Sequence, residues 1–396
     1  MKILMISTDR KIFEENSAVR QRIIEYGKLV EELYIIVFNL KNSKAQSPNS
    51  RQILNPKLQV QNIKIYSTDS KNKFFYIWDA IKIGRHIIYN LKSKIYNACD
   101  ENKILITCQD PFETGFVGWW IAKKTGAKLH LQIHTDFLNK YFRKESFLNY
   151  IRVCIAKFVL LKADGIRVVS KRIKSSLSTF NFQLSTKVSI LPIFVDVKKI
   201  EEKIPTQNLM TKYSQFDFII LMASRLEKEK NIFLAIDVMK EIVKKYPKTG
   251  LVVVGEGTLK QSLQKTVCSL RLERNIIFER WNDDLVSYYK TAYLFLSTSD
   301  YEGYGMTLIE AGVSGCPILT TDVGLVGEIL SEGAVEICKV GDKKCFVKKL
   351  ERLLNDKNRL QEMSVKAKEE IKNRVISDNQ EYLNQIKKDW ERALNN

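Results

Sequence analysis

Two carboxylates eight residues apart, Glu302 and Glu310, lie in the tract SDYEGYGMTLIEAGVSGCPILTTDVG, and two cations five residues apart, Arg225 and Lys230, lie in ASRLEKEKN. Arg225 can grip two phosphate oxygens in a fork while Lys230 adds a point charge. A strand end leading into a helix also presents backbone N–H groups and a partly positive dipole, which suits a phosphate. Glu302, in a loop, can reach a sugar hydroxyl; Glu310, inside a helix expected to open near Gly305, can hold a ribose diol as a bidentate acceptor. Each residue alone has an ordinary reading: solvated cations at a helix start, an acid favouring a helix dipole, an acid on an exposed helix face. In LHLQIHTDF, His130 and His134 share strand parity, but only His134 emerges at the carboxyl end, followed by Thr135 and Asp136. The chain holds three histidines, the other being His86, and no evident third ligand, so a histidine facing a cleft is a better reading than a metal pair.

These residues need strands to carry them. Short apolar runs fall at Lys2–Ile6, Leu33–Phe38, Val60–Tyr66, Lys103–Thr107, Leu129–Ile133, Ile166–Val169 and Val188–Leu191. After a polar stretch the pattern restarts at Asp217–Met222, Gly250–Val254, Asn275–Phe278, Tyr293–Leu296, Pro317–Thr320 and Val335–Ile337. Runs such as LVVV do not alternate, as expected of strands covered on both faces. Between them lie helical patterns, for example Ile232 to Tyr246. The expectation is α/β: two Rossmann-like, doubly wound parallel-sheet domains facing across a cleft, 1–200 and 201–376, with ligands outside the strands' carboxyl ends. A length of 396 residues suits two such domains.

The net charge of +19 is uneven: residues 1–200 hold 34 Lys+Arg against 16 Asp+Glu, residues 201–396 hold 30 against 29. The first half thus attracts something anionic. MKILMIS is too short an apolar opening for a secretory signal, and no run spans a bilayer. The seven scattered cysteines (Cys99, Cys108, Cys154, Cys268, Cys316, Cys338, Cys345) contain no CxxC pair and read as reduced, mostly buried thiols of a cytoplasmic protein.

In order and spacing together, these elements resemble the family 4 retaining glycosyltransferases of the GT-B fold (glycosyl transferases group 1). ASRLEKEKN stands at the family's phosphate clamp, and VVVGEGTLK at its V-G-x-G-x-L. Glu302 and Glu310 form its E-x7-E pair, while ADGIRVVSKRIKSSL and VSILPIFVDV are similar to ADxVIxVS and IPNGVD. The resemblance implies that Arg225 and Lys230 bind the donor diphosphate and stabilise its growing charge, that Glu302 holds hydroxyls of the transferred sugar, and that Glu310 holds the ribose. It implies backbone contacts at Gly303, Tyr304, Gly305 and Met306, a base pocket near Arg280 and Trp281, and His134 against the donor sugar. It further implies a nucleotide-sugar donor linked to UDP or GDP, retained configuration by front-face attack, no cofactor and no metal. The acceptor, a glycan or lipid-linked molecule of cell-surface polysaccharide or glycolipid synthesis, belongs to the first domain, and the helix 377–396 returns to that domain. Two departures stand out: STDRKIFEENSAVRQR lacks the family's glycine-rich loop but offers Ser17, Ala18, Arg20 and Arg22, and the paired glycine after the later Asp-Val reads Gly324-Leu325.

The segments 71–94 and 143–162 mix aromatic, apolar and basic residues, with Phe74, Ile77, Trp78, Ile81, Ile88 and Leu91 along one stripe of the first. Such segments suit an anionic membrane surface as partner, and a cytoplasmic protein peripheral on the inner face; core helices with wet basic sides are the ordinary alternative. Competing functions are a nucleotide-sugar epimerase or phosphorylase, against which the full E-x7-E tract argues, and a nucleic-acid-binding protein. No binding module supports the latter, and the charge lies opposite the best motif, so no nucleic acid is expected.

Overall fold

The computed structural model describes residues 1–41, 55–93 and 104–396; Cys99, Lys94 and Lys103 lie outside the described residues. The chain forms two compact units, one of Met1–Leu138, Ser146–Leu191 and Gln380–Asn396, the other of Asn139–Glu145 and Pro192–Asn379. The chain therefore leaves its first unit at Leu191, a little before residue 200, and the short piece Asn139–Glu145 goes with the second unit.

The first half runs β1 (Lys2–Ser7), α1 (Ala18–Gly27), β2 (Glu32–Val37), β3 (Leu58–Val60), β4 (Ile63–Ser67), α2 (Tyr76–Lys92), β5 (Ile104–Cys108), α3 (Glu113–Thr125), β6 (Lys128–Ile133), α4 (Lys140–Glu145), α5 (Phe147–Leu160), β7 (Gly165–Val168), α6 (Lys171–Phe180) and β8 (Val188–Ile190). Its sheet has the order β3-β4-β2-β1-β5-β6-β7-β8. Every pairing is parallel except β3 with β4. The single strand expected over Val60–Tyr66 is thus part of a hairpin, turned at Gln61, whose φ is 52°. Neither Gly nor Pro marks that turn, which is why the sequence hid it.

Right-handed crossovers put α2, α3 and α5, which contact one another in series, on one face of this sheet. α1 lies on the other, and with it α15 (Asn379–Asn395), whose buried Trp390 meets Tyr26 of α1 edge-on at 5.6 Å. Helix α15 is tied to the strands beneath it. His130, fully buried in β6, contacts Thr107 Oγ1 through Nδ1 at 2.8 Å and Asp389 through Nε2 at 2.9 Å. Ser189 donates to the same Asp389 carboxylate, and Arg167 donates to Tyr382 Oη at 2.8 Å. Burial works against ionisation of Asp389, but His130 and Ser189 hold its carboxyl below the ordinary Asp value. Both nitrogens of His130 are therefore committed, one to the neighbouring strand β5 and the other to the helix.

The second unit runs α7 (Val197–Glu202), α8 (Leu209–Lys212), β9 (Phe218–Ala223), α9 (Ile232–Lys245), β10 (Thr249–Val254), α10 (Lys260–Ser269), β11 (Ile276–Glu279), α11 (Leu285–Thr291), β12 (Leu294–Ser297), α12 (Met306–Val313), β13 (Ile318–Thr321), β14 (Glu336–Cys338), α13 (Lys343–Asn355) and α14 (Lys357–Arg374). Its sheet, ordered β11-β10-β9-β12-β13-β14, is parallel throughout. Ile220, Met222, Leu251 and Val253 meet Ile232, Ile236, Met239 and Phe346 in its core. Side-chain caps set several helix starts: Asp284 accepts from Ser287 N, Asp342 from Cys345 N and Asp356 from Arg359 N.

Two further sequence expectations are corrected. Cys338 and Cys345 form a disulfide, because the end of β14 and the first turn of α13 bring their Cα atoms to 5.8 Å. Of the free cysteines described, Cys108 and Cys316 are buried while Cys154 and Cys268 are exposed. The 71–94 stripe is not one face either: Ile81, Ile88 and Leu91 enter the core, whereas Phe74 and Trp78 point to solvent.

Candidate active site

β9 ends at Ala223, in the middle of the sheet, and the chain turns through Ser224–Leu226 and a 3-10 turn at Lys228–Lys230 into α9. The turn is possible because the neighbouring loop can press against it: a Cβ on Gly255 would stand 1.9 Å from Ser224 O. Leu226 N donates to Glu256 O at 2.8 Å, and Leu259 N to Leu226 O at 3.0 Å, so VVVGEGTLK braces the Arg225 loop from behind.

Next to it, β12 delivers Ser297–Glu302. Thr298 Oγ1 donates to the carbonyls of Lys230 and Asn231, and Asn231 Nδ2 donates to Asp300 at 2.8 Å. The two loops are thereby stitched together. Lys230 Nζ reaches Glu302 Oε1 at 2.5 Å, and Ser299 Oγ donates to the same oxygen at 2.9 Å. The Lys230 and Glu302 side chains retain only 14% and 16% of their exposure. They line a small crevice with Ser224, Thr298, Ser299 and Thr307 at the carboxyl ends of β9 and β12. Ser224 Oγ is buried there and finds no hydrogen-bond partner among the described residues. A buried, unpartnered hydroxyl beside a lysine is a position that a ligand oxygen would satisfy.

Helix α12 opens at Met306 after Gly305, without a side-chain cap. Gly324, at φ 58°, packs against this opening: a Cβ there would come within 2.4 Å of Tyr304 O, to which Leu325 N donates at 2.9 Å. The single glycine of Gly324-Leu325 therefore holds Gly303–Met306 in place. One turn into α12, Glu310 accepts from Tyr289 Oη at 3.3 Å. Burial pushes the Glu310 carboxyl above its usual range, with the tyrosine hydroxyl opposing in part.

Arg225 is the most open member: its side chain is 73% exposed and donates to the buried Glu229 at 2.8 Å. Arg280 and Trp281 follow β11, two places from β9 in the sheet; both are exposed, and Trp281 Nε1 donates to Asp283 at 3.3 Å. His134 stands in the first unit, half-buried just beyond β6, 3.3 Å from Gln132 Oε1. Burial, with the Arg167 and Arg22 charges, lowers it to about 3, so it is a neutral imidazole at ordinary pH. Ser17 caps α1 by accepting from Arg20 N, so that residue has a structural task.

Several contributors escaped sequence reading. Glu229, Ser224, Ser299 and Thr307 carry no motif signal beyond their place after a strand. Helix α4 is the largest omission. Its Glu145 accepts from Tyr301 Oη at 2.5 Å, its Phe142 meets the Tyr301 ring edge-on at 5.7 Å, and Lys228 Nζ donates to Glu145 O at 3.2 Å. A segment some 155 residues away in sequence thus fixes the residue just before Glu302.

Residues 211–389, the stretch holding Arg225, Lys230, Arg280, Trp281, Glu302 and Glu310, match the family of glycosyl transferases group 1. The match covers a little under half of the chain. The chain is 24% identical over 294 residues to the alpha-monoglucosyldiacylglycerol synthase of Streptococcus pneumoniae, covering 67% of this chain and 65% of that one. It is 25% identical over 246 residues to the capsular polysaccharide biosynthesis glycosyltransferase CapM of Staphylococcus aureus, covering 59% and 63%. The matched stretches thus span just under two-thirds of these relatives. Among solved structures, the chain is similar to HepE of Anabaena in complex with UDP, at a TM-score of 0.69 and 15% identity over 98% of this chain and 99% of the other. That likeness shows the GT-B fold.

Proposed function

We propose that this protein transfers a hexose, with retention of configuration and without a bound metal, from a UDP- or GDP-sugar to a glycan or lipid-linked acceptor. The observation that carries the reading is the Lys230–Glu302 pair in the crevice with the unpartnered Ser224 hydroxyl. A half-buried ion pair costs desolvation, and its members gain most by exchanging each other for ligand groups. With donor bound, Lys230 and Arg225 turn to the diphosphate, Glu302 takes hydroxyls of the sugar and Glu310 the ribose. The sugar C1–O bond then breaks, the acceptor oxygen bonds to C1 from the same face, and the acceptor proton passes to the departing phosphate. The cations stabilise the charge that gathers there. His134, neutral, supplies a hydrogen bond at the sugar.

UDP in the HepE structure supports a uridine donor. The glycolipid and capsular products in the relatives' names support a glycan or lipid-linked acceptor. Calorimetry of UDP, GDP and ADP with the wild type and Lys230→Ala is the first test. Selective binding of one nucleotide, abolished in the variant, is expected; binding of none by the folded wild type sinks the proposal. Activity should survive chelators, and release of an epimerised sugar without acceptor would favour an epimerase instead.

A further inference from the structure

We infer that the outer face of α2, α3 and α5 is a docking surface for an anionic phospholipid bilayer. The inference deepens the reading of a lipid-linked acceptor and rests on it only for its purpose, because binding can be measured without turnover.

The first observation is where apolar surface is left uncovered. Single exposed apolar side chains are ordinary. Of the fifteen large hydrophobic residues exposed among the described residues, however, ten fall on just two segments, α2 with its lead-in and α5 with its end. Phe74 is 87% exposed, Trp78 65% and Tyr89 75% on the first; Phe147 is 78% exposed on the second, followed by Tyr150 and Phe158. The other five are scattered over the second unit. Helix α3 links the two segments: its Trp119 meets Phe158 of α5 edge-on at 4.8 Å. Its Trp120 lines, with Trp78, Ile81 and Tyr89 of α2, an open groove of about 790 Å³.

The second observation is charge. Residues 71–93, 113–125 and 146–162 carry ten Lys or Arg against two acids, Asp79 and Glu113. Both acids are turned to internal partners: Asp79 accepts from Ser70 at 2.5 Å, and Glu113 pairs with Arg152 at 2.9 Å. Lys82, Arg85, Lys92 and Lys124 rim the groove, and Lys123 and Lys124 lie over the rings of Trp119 and Trp120. Amphipathic aromatic rings flanked by cations match the boundary between headgroups and acyl chains. The rings enter the apolar layer while the cations meet phosphate. No helix among the described residues is long and apolar enough to cross a membrane.

The test is flotation of the full-length chain with phosphatidylcholine vesicles, with and without phosphatidylglycerol. Binding is expected only with the anionic lipid, weakening as salt is raised. The substitutions Lys82→Gln, Arg85→Gln, Lys92→Gln and Lys124→Gln together should lower partitioning by roughly fivefold for each cation removed, on the order of several hundredfold in all. Phe74→Ser with Trp78→Ser should also release the protein, and UDP binding should persist in both variants as evidence that they are folded. Absence of wild-type binding, equal binding to both vesicle types, or binding unaffected by either variant overturns the inference. So does light scattering that shows a dimer formed through this face with no vesicle binding. If UDP binds while vesicles do not, the docking face fails and the donor site stands; the reverse result separates them in the other direction.

Discussion

Both halves of this chain build a parallel sheet wrapped in helices, yet they spend their polar side chains differently. In the second unit cations are paired: Lys230 with Glu302, Arg359 and Lys349 with Glu336, Lys212 with Glu279. In the first, α2, α3 and α5 display cations whose few neighbouring acids are already occupied, beside aromatic rings left in solvent. Paired charge makes a site that is quiet until a ligand replaces one partner, whereas unpaired charge makes a surface that attracts at a distance. The contrast teaches that net charge and chemical motif report on separate tasks, since here they sit in different halves.

That contrast can be broken most severely through α15. Trp390→Ala removes a buried indole from the first unit and should cost about 3–5 kcal/mol of stability, read as a fall in melting temperature. An unchanged melt would mean that the helix is dispensable to the first unit. Lys230→Ala should lower kcat/KM by at least about 10²–10³-fold, in line with loss of a preorganised charge at a developing anion, while flotation stays as in the wild type. A variant that lost both would show that the two tasks are not separable.

Tyr301→Phe sharpens the picture from inside the second unit. Losing one hydrogen bond to Glu145 should cost about 1 kcal/mol, seen as a several-fold loss of kcat with donor KM little changed. Tyr301→Ala, lacking the ring against Phe142, should do more. A donor KM that rises with unchanged kcat would show that Tyr301 contacts donor rather than positioning Glu302.

The smallest effect is the pH dependence of donor binding. Because burial raises Glu310, its carboxylate is lost as pH falls through a value above the usual Glu range of about 4.3. Donor KM should rise on that acidic limb, and Glu310→Gln should flatten the rise. The same shift has the opposite sign for folding. Its contribution is fully present below the unfolded value and is lost as pH climbs through the folded one.

Much of the fold was legible because a buried parallel strand must be apolar on both faces, so LVVV and its counterparts announce themselves. What stayed hidden depended on contacts between distant segments. The β3–β4 turn uses Gln61, a residue with no turn signature, and the Cys338–Cys345 bridge arises from how β14 enters α13. The order of Arg225, Lys230, Glu302 and Glu310 was readable, but not the Lys230–Glu302 ion pair or the Tyr289 hydroxyl on Glu310, since spacing does not say which side chains meet. Helix α4 reads as a short basic stretch, and nothing local to it points to Tyr301.

The return of α15 has a consequence for how the molecule is made. His130, Ser189 and Arg167 are translated early, but their partners Asp389 and Tyr382 follow about 190 residues after the chain has left the first sheet. At a synthesis rate of about 5–20 residues per second, that delay is roughly 10–40 s. Throughout it, the nascent first sheet has one face short of its covering helix, with a buried imidazole and an arginine awaiting their partners. The second unit, whose elements all precede α15, can close before the first is finished, so the half that begins first is completed last.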